Sequence, residues 1–292
     1  MAANLKDIKS RINSVQKTRQ ITQAMKLVAG AKLKRATDAA TNAKPYQHQL
    51  AQVLARVAAR AGEVKEPLLS SRDEVRRAKV VFLTTDRGLC GGFNNNLLRR
   101  SLEWLQGKQR EGIELDLRVY GRKGVAFFGK RGFPPSATEV NWSARPKMDL
   151  VRDLADDLVT GFLSGEHDEV WLVYNEFKSA LTQTPRFFKL LPLSVERAEE
   201  AEAASAGGPE YRYEPTAPEI LGMLLPLYIR TLILQAFLET EAGEFASRMT
   251  AMDAATRNAS DLIDNLTLEY NRARQAAITT ELIEIVSGAN AL

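Results

Sequence analysis

The chain has 292 residues, of which 45% are apolar and 26% are charged, values close to the average of globular proteins. This composition excludes bulk disorder and a collagen-like fibre. The formal net charge of +4 is too small to identify a partner, so an electrostatic argument depends on where the charges lie. The single cysteine excludes an intrachain disulfide framework, and two histidines leave little material for a histidine-based metal site or catalytic triad.

The first 44 residues predict a long basic helix. They contain no proline and one glycine, and they include ten Lys and Arg residues but only two Asp. Their basic and apolar residues alternate at helical spacing, which is not the pattern of a secretory signal. The pattern resumes after Pro45 and ends near Gly62, so we expect one long helix, bent near Pro45. We expect the following apolar residues to form one helix face: Leu5, Ile8, Ile12, Val15, Ile21, Met25 and Val28.

Strands alternate with helices in the middle of the chain. The sequence predicts strands at 79–86, 115–121, 169–175 and 184–193, and helices at 97–105 and 149–163. This alternation is typical of a small, mostly parallel α/β sheet. Residues 196–215 are rich in Ala, Glu and Gly, and we expect them to form a mobile linker. The predicted domains are an N-terminal helix (1–62), a central α/β domain (63–215) and a C-terminal helix (216–292).

The C-terminal segment carries the pattern of a left-handed coiled coil. The 44 residues between Gly243 and Gly288 contain neither glycine nor proline, and a seam repeats among them every 3.5 residues. A helix of that length spans roughly 66 Å, longer than the roughly 50 Å diameter of a compact globule of this chain length. We therefore predict that it pairs with the N-terminal helix, at Ile8, Ile12 and Val15, as an antiparallel two-helix stalk. The seam positions are Phe245, Met249, Met252, Thr256, Ala259, Ile263, Leu266, Tyr270, Ala273 and Ala277.

The most apolar stretch, residues 220–238, is long enough to raise the question of a membrane span. Pro226 interrupts it and Arg230 lies near its centre. A charged residue at the middle of a bilayer costs about 2.5–3.5 kcal/mol on insertion scales. We expect a helix buried against the α/β domain and no span.

Two glycine-rich turns follow predicted strands, where α/β folds often bind phosphate. The turn at 88–92 matches neither G-x-G-x-x-G nor the P-loop pattern, and the turn at 121–124 has the same ambiguity. We expect these glycines to serve turns and close packing. Cys90 has no histidine near it in sequence, so we expect it to be a packing residue. Three carboxylates in a predicted helix are expected to lie on a solvated face: Asp153, Asp156 and Asp157. The residues therefore predict no catalytic, cofactor or metal site.

The basic N-terminal helix is compatible with three kinds of partner. Nucleic acid and a membrane surface both favour aromatic residues beside the charges, and no aromatic residue precedes Tyr46. Acidic segments of a protein partner fit better. At the other end, a group of apolar residues would remain exposed once the helix leaves its seam, which predicts a collar from another chain. These residues are Ile278, Leu282, Ile283, Ile285 and Val286.

Five segments (5–36, 85–97, 121–128, 189–193 and 246–289) resemble the gamma-subunit family of F-type ATP synthases, of the bacterial type. The resemblance implies an antiparallel coiled coil of both termini and a central Rossmann-like α/β domain. It also implies a rotating central shaft, not itself catalytic, that couples proton flow through a membrane ring of c subunits to ATP synthesis or hydrolysis. The implied partners are three alpha and three beta subunits, an epsilon subunit and the c-ring, with no nucleic acid and no cofactor. The implied location is peripheral, at the cytoplasmic face of the bacterial inner membrane.

The resemblance also assigns coupling residues. Met25 matches the methionine that faces the acidic C-terminal segment of a beta subunit. Four further positions match residues that couple shaft rotation to catalysis: Arg248, Gln275, Thr279 and Glu281. The chain departs from its relatives at Gln20, where some have Lys, at Gly30, where Ala or Ser is usual, and in an expanded stretch at 198–208.

Two other classes of protein remain open from the residues alone. The first is a soluble nucleotide- or phosphate-binding α/β protein whose coiled coil serves dimerisation, and calorimetry with ATP, ADP and NAD would distinguish it. The second is a nucleic-acid-binding coiled coil, which predicts a DNA affinity that depends steeply on salt concentration.

Overall fold

The computed structural model describes residues 5–61, 66–72, 74–145, 147–193 and 216–290. The predicted linker at 196–215 and the expanded stretch at 198–208 lie outside the described residues. The elements, in chain order, are α1 (Leu5–Ala61), β1 (Arg77–Leu83), α2 (Phe93–Arg110), β2 (Glu114–Tyr120), α3 (Arg122–Phe128), β3 (Ala137–Glu139), a 3₁₀ turn (Trp142–Ala144), α4 (Lys147–Leu163), β4 (Glu169–Phe177), β5 (Gln183–Leu191) and α5 (Ala217–Asn290).

The five strands form one sheet in the order β3-β2-β1-β4-β5. β1 pairs in parallel with β2 and β4, and β2 pairs in parallel with β3. β5 pairs antiparallel with β4 at the edge. This is the mostly parallel sheet that the strand and helix alternation predicted, and it has the Rossmann-like form that the resemblance implied.

Helices cover both faces of the sheet because β1 is apolar on both sides. Val81 and Leu83 point into a core shared with α4, α5 and the second half of α1. Val80 and Phe82 point into the opposite core, with α2 and α3. Every residue of β1 after Arg77 is buried, as expected for the central strand of a parallel sheet.

The two terminal helices are very long. α1 has 57 residues and continues through Pro45, and α5 has 74 residues, about 110 Å, and continues through Pro226. The chain divides into two compact units. The helix-pair unit consists of Met1–Gly30 and Arg248–Leu292, and the α/β unit consists of Ala31–Ser247. Because the second half of α1 and the first half of α5 pack in the α/β core, these units differ from the predicted boundaries at 62 and 216.

Sequence reasoning missed three short elements. Helix α3 and strand β3 have only seven and three residues, and the 3₁₀ turn has three. Segments of this length do not show a period of apolar residues, and α3 begins directly after Gly121, a residue that interrupts rather than predicts a helix.

Among the described residues, the helical segment Ala217–Ser287 is long and apolar enough to cross a membrane, by length and composition only. The core helix of a globular domain passes the same test. Residues spaced four apart along α5 are buried in the α/β core: Leu221, Leu225, Ile229, Ile233 and Phe237. Arg230 forms an ion pair with Asp156 of α4 at 2.8 Å. Packing within the domain therefore accounts for the apolar stretch.

Candidate interaction surfaces and the crevice of the sheet

The helix-pair unit consists of two antiparallel helices. Contacts between them include the Lys26 ammonium, 2.5 Å from the Asp253 carboxylate, and a hydrogen bond that Thr256 Oγ1 donates to Thr22 Oγ1 at 2.8 Å. A Cβ placed on Gly30 would be in contact with Met249 Sδ at 3.5 Å. The residue numbers in each contact add up to 278 or 279, the signature of antiparallel pairing in one register. Asp253 is also bound by Arg257 at 3.2 Å, and the hydrogen bond from Lys26 lowers the pKa of this carboxyl.

The buried side of α1 differs from the predicted one. Ile21 and Val28 are 60% and 57% exposed, so the prediction that they share the face of Leu5 and Ile8 is wrong. Thr22 and Ala29 take their places, at 9% and 2% exposure. The less exposed positions continue at alternating steps of three and four, which is the geometry of a seam with period 3.5. They are Leu5, Ile8, Ile12, Val15, Arg19, Thr22, Lys26 and Ala29.

On α5, the residues placed on the seam by sequence are covered to different degrees. Met252, Ile263 and Leu266 are buried, whereas Met249 and Tyr270 are half-buried. Phe245 falls within the α/β unit, where the Lys32 ammonium lies 5.4 Å from the centre of its ring. On α1, Ile8 is buried, and Ile12 and Val15 are half-buried.

Helix α5 continues beyond the described start of α1. By the register of the pair, residue 274 lies level with Leu5, and α5 continues to Asn290. We call residues 274–290 the C-terminal tip. Ile278, Leu282 and Ile285, at steps of four and three, share one side of the tip and are 48%, 57% and 62% exposed. The tip therefore presents to solvent an apolar surface that the rest of the described chain does not cover.

The coupling residues implied by the resemblance all lie in the helix-pair unit. Gln275, Thr279 and Glu281 are exposed on the tip, and the Thr279 hydroxyl donates to the Gln275 carbonyl at 2.9 Å. Arg248 is half-buried at the first position of the unit on α5. Met25 is half-buried and lies between Ile21 and Val28 at steps of four and three, so these three residues form a second apolar strip on α1, which we call the outer strip.

The α/β unit has its topological switch point between β1 and β4, the place where open α/β sheets bind ligands. At this switch point, hydrogen bonds from neighbouring elements hold the turn that follows β1. The Asn94 side-chain oxygen accepts a hydrogen bond from the Thr85 main-chain amide, and the Asn94 side-chain nitrogen donates one to the Thr85 hydroxyl. The Asn175 amide donates to the Phe93 carbonyl at 3.0 Å. Ser247 of α5 donates to the Cys90 carbonyl at 2.7 Å.

Helix α5 closes the same crevice with Gly243. A Cβ at this glycine would lie 2.7 Å from the Phe93 ring, so only the absence of a side chain allows the helix to come this close. The crevice is filled by the chain itself, which argues against the nucleotide-binding alternative. Cys90 is 2% exposed, with the Asn94 amide 3.3 Å from its sulfur, and it packs under this turn.

The second glycine turn is also structural. Gly121 has a φ of +95°, and a Cβ there would lie 2.2 Å from the Thr84 carbonyl oxygen. The Thr84 hydroxyl donates to the Tyr120 carbonyl at 2.7 Å and lies 3.0 Å from the Gly124 amide, which donates to it. The Trp142 indole donates to the Thr84 carbonyl at 2.8 Å. The turn at 121–124 therefore holds the end of β1 in place, and its Gly121 and Gly124 amides already donate hydrogen bonds within the protein.

The carboxylates of α4 form ion pairs on a partly exposed face. Asp153 pairs with Arg145, Asp156 with Arg230 and Asp157 with Arg118, at 2.7–2.8 Å. This placement agrees with the expected solvated face, and it also gives Arg230 its counter-ion.

Among the described residues, one group has the ligand types of a metal site: Asp116, Glu166 and His167. The Lys79 ammonium lies 2.5 Å from one carboxylate oxygen of Asp116, and the other oxygen accepts a hydrogen bond from Ser136. Lys79 therefore already supplies a positive charge at the position where a metal ion would bind. Burial alone would raise the pKa of Asp116, but the hydrogen bonds from Lys79 and Ser136 bring it below its ordinary value. Burial, and next the charge of Lys79, lower the pKa of His167. Sequence reasoning missed this cluster because its members come from separate strands and loops.

A Rossmann-like unit with a filled crevice, joined to a pair of terminal helices with exposed apolar surfaces, defines a shaft-type subunit of a larger assembly. A family model described as ATP synthase matches residues 4–292. The chain is 45% identical over 289 residues to an ATP synthase gamma chain of Pelotomaculum thermopropionicum and 43% identical over 290 residues to one of Trichlorobacter lovleyi. Each comparison covers 99% of both chains. The chain therefore belongs to the ATP synthase gamma-chain family.

Solved structures show the same architecture. A chain of the Tetrahymena thermophila mitochondrial ATP synthase central stalk and c-ring is 26% identical, with a TM-score of 0.62 over 80% of this chain and 99% of that one. A chain of the Euglena gracilis mitochondrial ATP synthase has a TM-score of 0.65 at 20% identity, over 98% and 94%, which shows the shared fold. The predicted fold class and the role as rotor shaft of the membrane-associated ATP synthase are confirmed.

Proposed function

We propose that the helix-pair unit turns inside a ring of three alpha and three beta subunits, and that the outer strip and the C-terminal tip are the surfaces that contact this ring. The observation that carries the proposal is the exposure of their apolar residues other than the half-buried Met25, from 48% at Ile278 to 62% at Ile285. Fully burying one Ile or Val side chain is worth about 1.5–3 kcal/mol, so these surfaces favour coverage by a partner.

Charge indicates the chemistry of the partner surface. Lys6, Lys9, Arg11 and Lys17 are exposed along the first turns of α1, and Arg274 is exposed on the tip. These cations favour acidic segments of the beta subunits. Because the outer strip lies on one helix and the tip on the other, the shaft is asymmetric. As it turns, each beta subunit meets a different surface in succession, and its open and closed states are populated accordingly.

The α/β unit would contact the epsilon subunit and the ring of c subunits, at the cytoplasmic face of the bacterial inner membrane. Proton flow through the ring would drive rotation towards ATP synthesis, and hydrolysis would drive it in reverse. The solved Tetrahymena relative, which is named as a central stalk with its c-ring, supports this arrangement. A tagged chain should co-purify with alpha, beta and epsilon subunits, and isolation without them would contradict the proposal.

The sharpest test of the contact is Met25→Lys. A lysine in the outer strip would form an unwanted ion pair with acidic beta residues, so we expect fewer protons pumped per ATP hydrolysed in the assembled complex. Met25→Leu is the matched control, since it keeps an apolar side chain of similar size. Unchanged pumping per ATP in Met25→Lys would argue against the proposed role of the strip.

A further inference from the structure

The middle of the helix pair has polar residues where a coiled coil normally has apolar ones. Thr22 and Lys26 are seam positions of α1, and they contact Thr256 and Asp253 of α5 at 2.8 and 2.5 Å. We call these four residues the polar cluster. Towards the chain ends, by contrast, the seam consists of residues such as Ile8, Ile263 and Leu266.

A more apolar seam is available to the middle of the same helix. A shift of one residue after Val15 would leave Ile8, Ile12 and Val15 in the seam and bring Ile21 and Val28 into it. Ile21 and Val28 are each one residue away from Thr22 and Ala29, which corresponds to a turn of about 100° around the axis of α1. Burial of apolar surface gains about 25 cal/mol per Å², so hydrophobicity alone favours placing Ile21 and Val28 in the seam. The structure instead leaves them 60% and 57% exposed.

The polar cluster opposes such a turn of α1. Turning the helix towards Ile21 and Val28 would separate Lys26 from Asp253 and break the hydrogen bond between Thr22 and Thr256. Single polar residues at seam positions are known to select one arrangement of a coiled coil at some cost in stability.

We propose that the polar cluster sets the rotation of the middle of α1 about the helix axis and thereby keeps the outer strip exposed. Its members are positioning residues for rotary coupling, because they act through Ile21, Met25 and Val28. This coupling role depends on the function proposed above, whereas the rotation of α1 does not.

The test measures cysteine labelling by a maleimide in the isolated full chain, with Cys90→Ala as background so that the reporter is the single thiol. Reporters are Ile21→Cys or Val28→Cys in the outer strip, and Gln23→Cys, also exposed on α1, as the control position. Replacing the cluster by apolar residues (Thr22→Val, Lys26→Ala, Asp253→Ala and Thr256→Val) should slow labelling of both strip reporters several-fold and leave Gln23→Cys unchanged.

A charge exchange provides a second variant that keeps the polar character of the helix pair. Lys26→Asp alone places two carboxylates opposite each other and should also slow labelling of the strip reporters. Adding Asp253→Lys restores an ion pair and should restore the labelling rate. Lys17→Asp, which reverses an exposed charge outside the cluster, should have no effect. Equal labelling in all variants, or a fall at Gln23→Cys as well, would overturn the proposal.

The coupling role of the polar cluster is tested in the assembled complex by measuring the protons pumped per ATP hydrolysed. We expect a loss in the apolar cluster variant and recovery in the charge-exchanged pair. Changed labelling together with unchanged pumping would overturn the coupling role of the cluster and of the outer strip, while the effect of the cluster on the rotation of α1 would stand.

Discussion

Helix α5 has two very different environments along its length. In the α/β unit its apolar residues are completely covered, with Leu225, Ile229 and Ile233 at 0% exposure. In the helix-pair unit the tip also carries Leu and Ile, yet Leu282 and Ile283 are 57% and 60% exposed. The difference shows that α5 is a core helix at one end and carries exposed apolar residues at the other, where we propose that a partner binds.

The same contrast predicts how substitutions act. In the α/β unit, side chains and backbone are in close contact, so changes should lower the free energy of unfolding of the isolated chain. In the helix-pair unit, changes at exposed apolar positions should matter mainly when a partner is bound.

Gly121→Ala should destabilise the α/β unit most. The new Cβ would lie 2.2 Å from the Thr84 carbonyl oxygen, and the φ of +95° is strained for any residue with a side chain. We expect a loss of about 4 kcal/mol or more in the free energy of unfolding, measured by urea denaturation. Gly107→Ala, where a Cβ would meet nothing within 4 Å, is the control. A stable Gly121→Ala variant would show that the end of β1 can move.

Trp142→Phe should have the next largest effect. The substitution removes the indole hydrogen bond to the Thr84 carbonyl and part of a ring that is 1% exposed and packs on Phe237. The lost hydrogen bond costs about 1–3 kcal/mol, and the lost volume adds to it. Trp104→Phe, on the other face of the sheet, is the comparison. Equal losses in the two variants would mean that the hydrogen bond contributes little.

His167 should make the stability of the α/β unit depend on pH. Its pKa is lowered in the folded state, by burial first and by Lys79 next, against the opposing effects of Glu166, Asp116 and Asp157. Since the unfolded chain then binds the proton more readily, stability should decrease as pH falls from about 6.5 through the lower folded pKa.

The substitution His167→Gln removes this titration, so the decrease in melting temperature between about pH 7 and pH 5 should become shallower. His48→Gln, on the exposed side of α1, is the matched control. A change of the same size in the control would show that the effect does not come from the cluster around His167.

The sequence predicted the long helices because their apolar period repeats many times, and it predicted four of the five strands from short runs of β-branched and aromatic residues bounded by turns. It missed the seam at Thr22 and Ala29, since apolar residues stand next to both and hydropathy alone chose Ile21 and Val28. The filled crevice could not be predicted from the sequence either. The contact of Gly243 with Phe93 joins residues far apart in the chain, and it depends on shape rather than on residue type.

Gly30→Ala should stabilise the helix-pair unit slightly. The new Cβ would lie 3.5 Å from Met249 Sδ, an ordinary contact, and alanine is favoured over glycine inside a helix by about 1 kcal/mol. We expect a gain of up to about 1 kcal/mol in the free energy of unfolding. A loss in Gly30→Ala, set against a gain in Gly107→Ala, would show that the seam is tighter at Met249 than its distance indicates.

Ile283→Ser should have the smallest effect on the free energy of unfolding, and comparing it with Leu225→Ser distinguishes the two environments of α5 most directly. Because Ile283 is 60% exposed on the tip, its loss should change the free energy of unfolding of the isolated chain by no more than about 0.5 kcal/mol. Leu225→Ser, at 0% exposure on the same helix, should cost several times more. In the assembled complex Ile283→Ser should weaken retention of the chain on washing, because a partner that covers the tip loses apolar contact. If Ile283→Ser destabilised the isolated chain as much as Leu225→Ser, the tip would be part of an internal core, and its role as an interaction surface would be wrong.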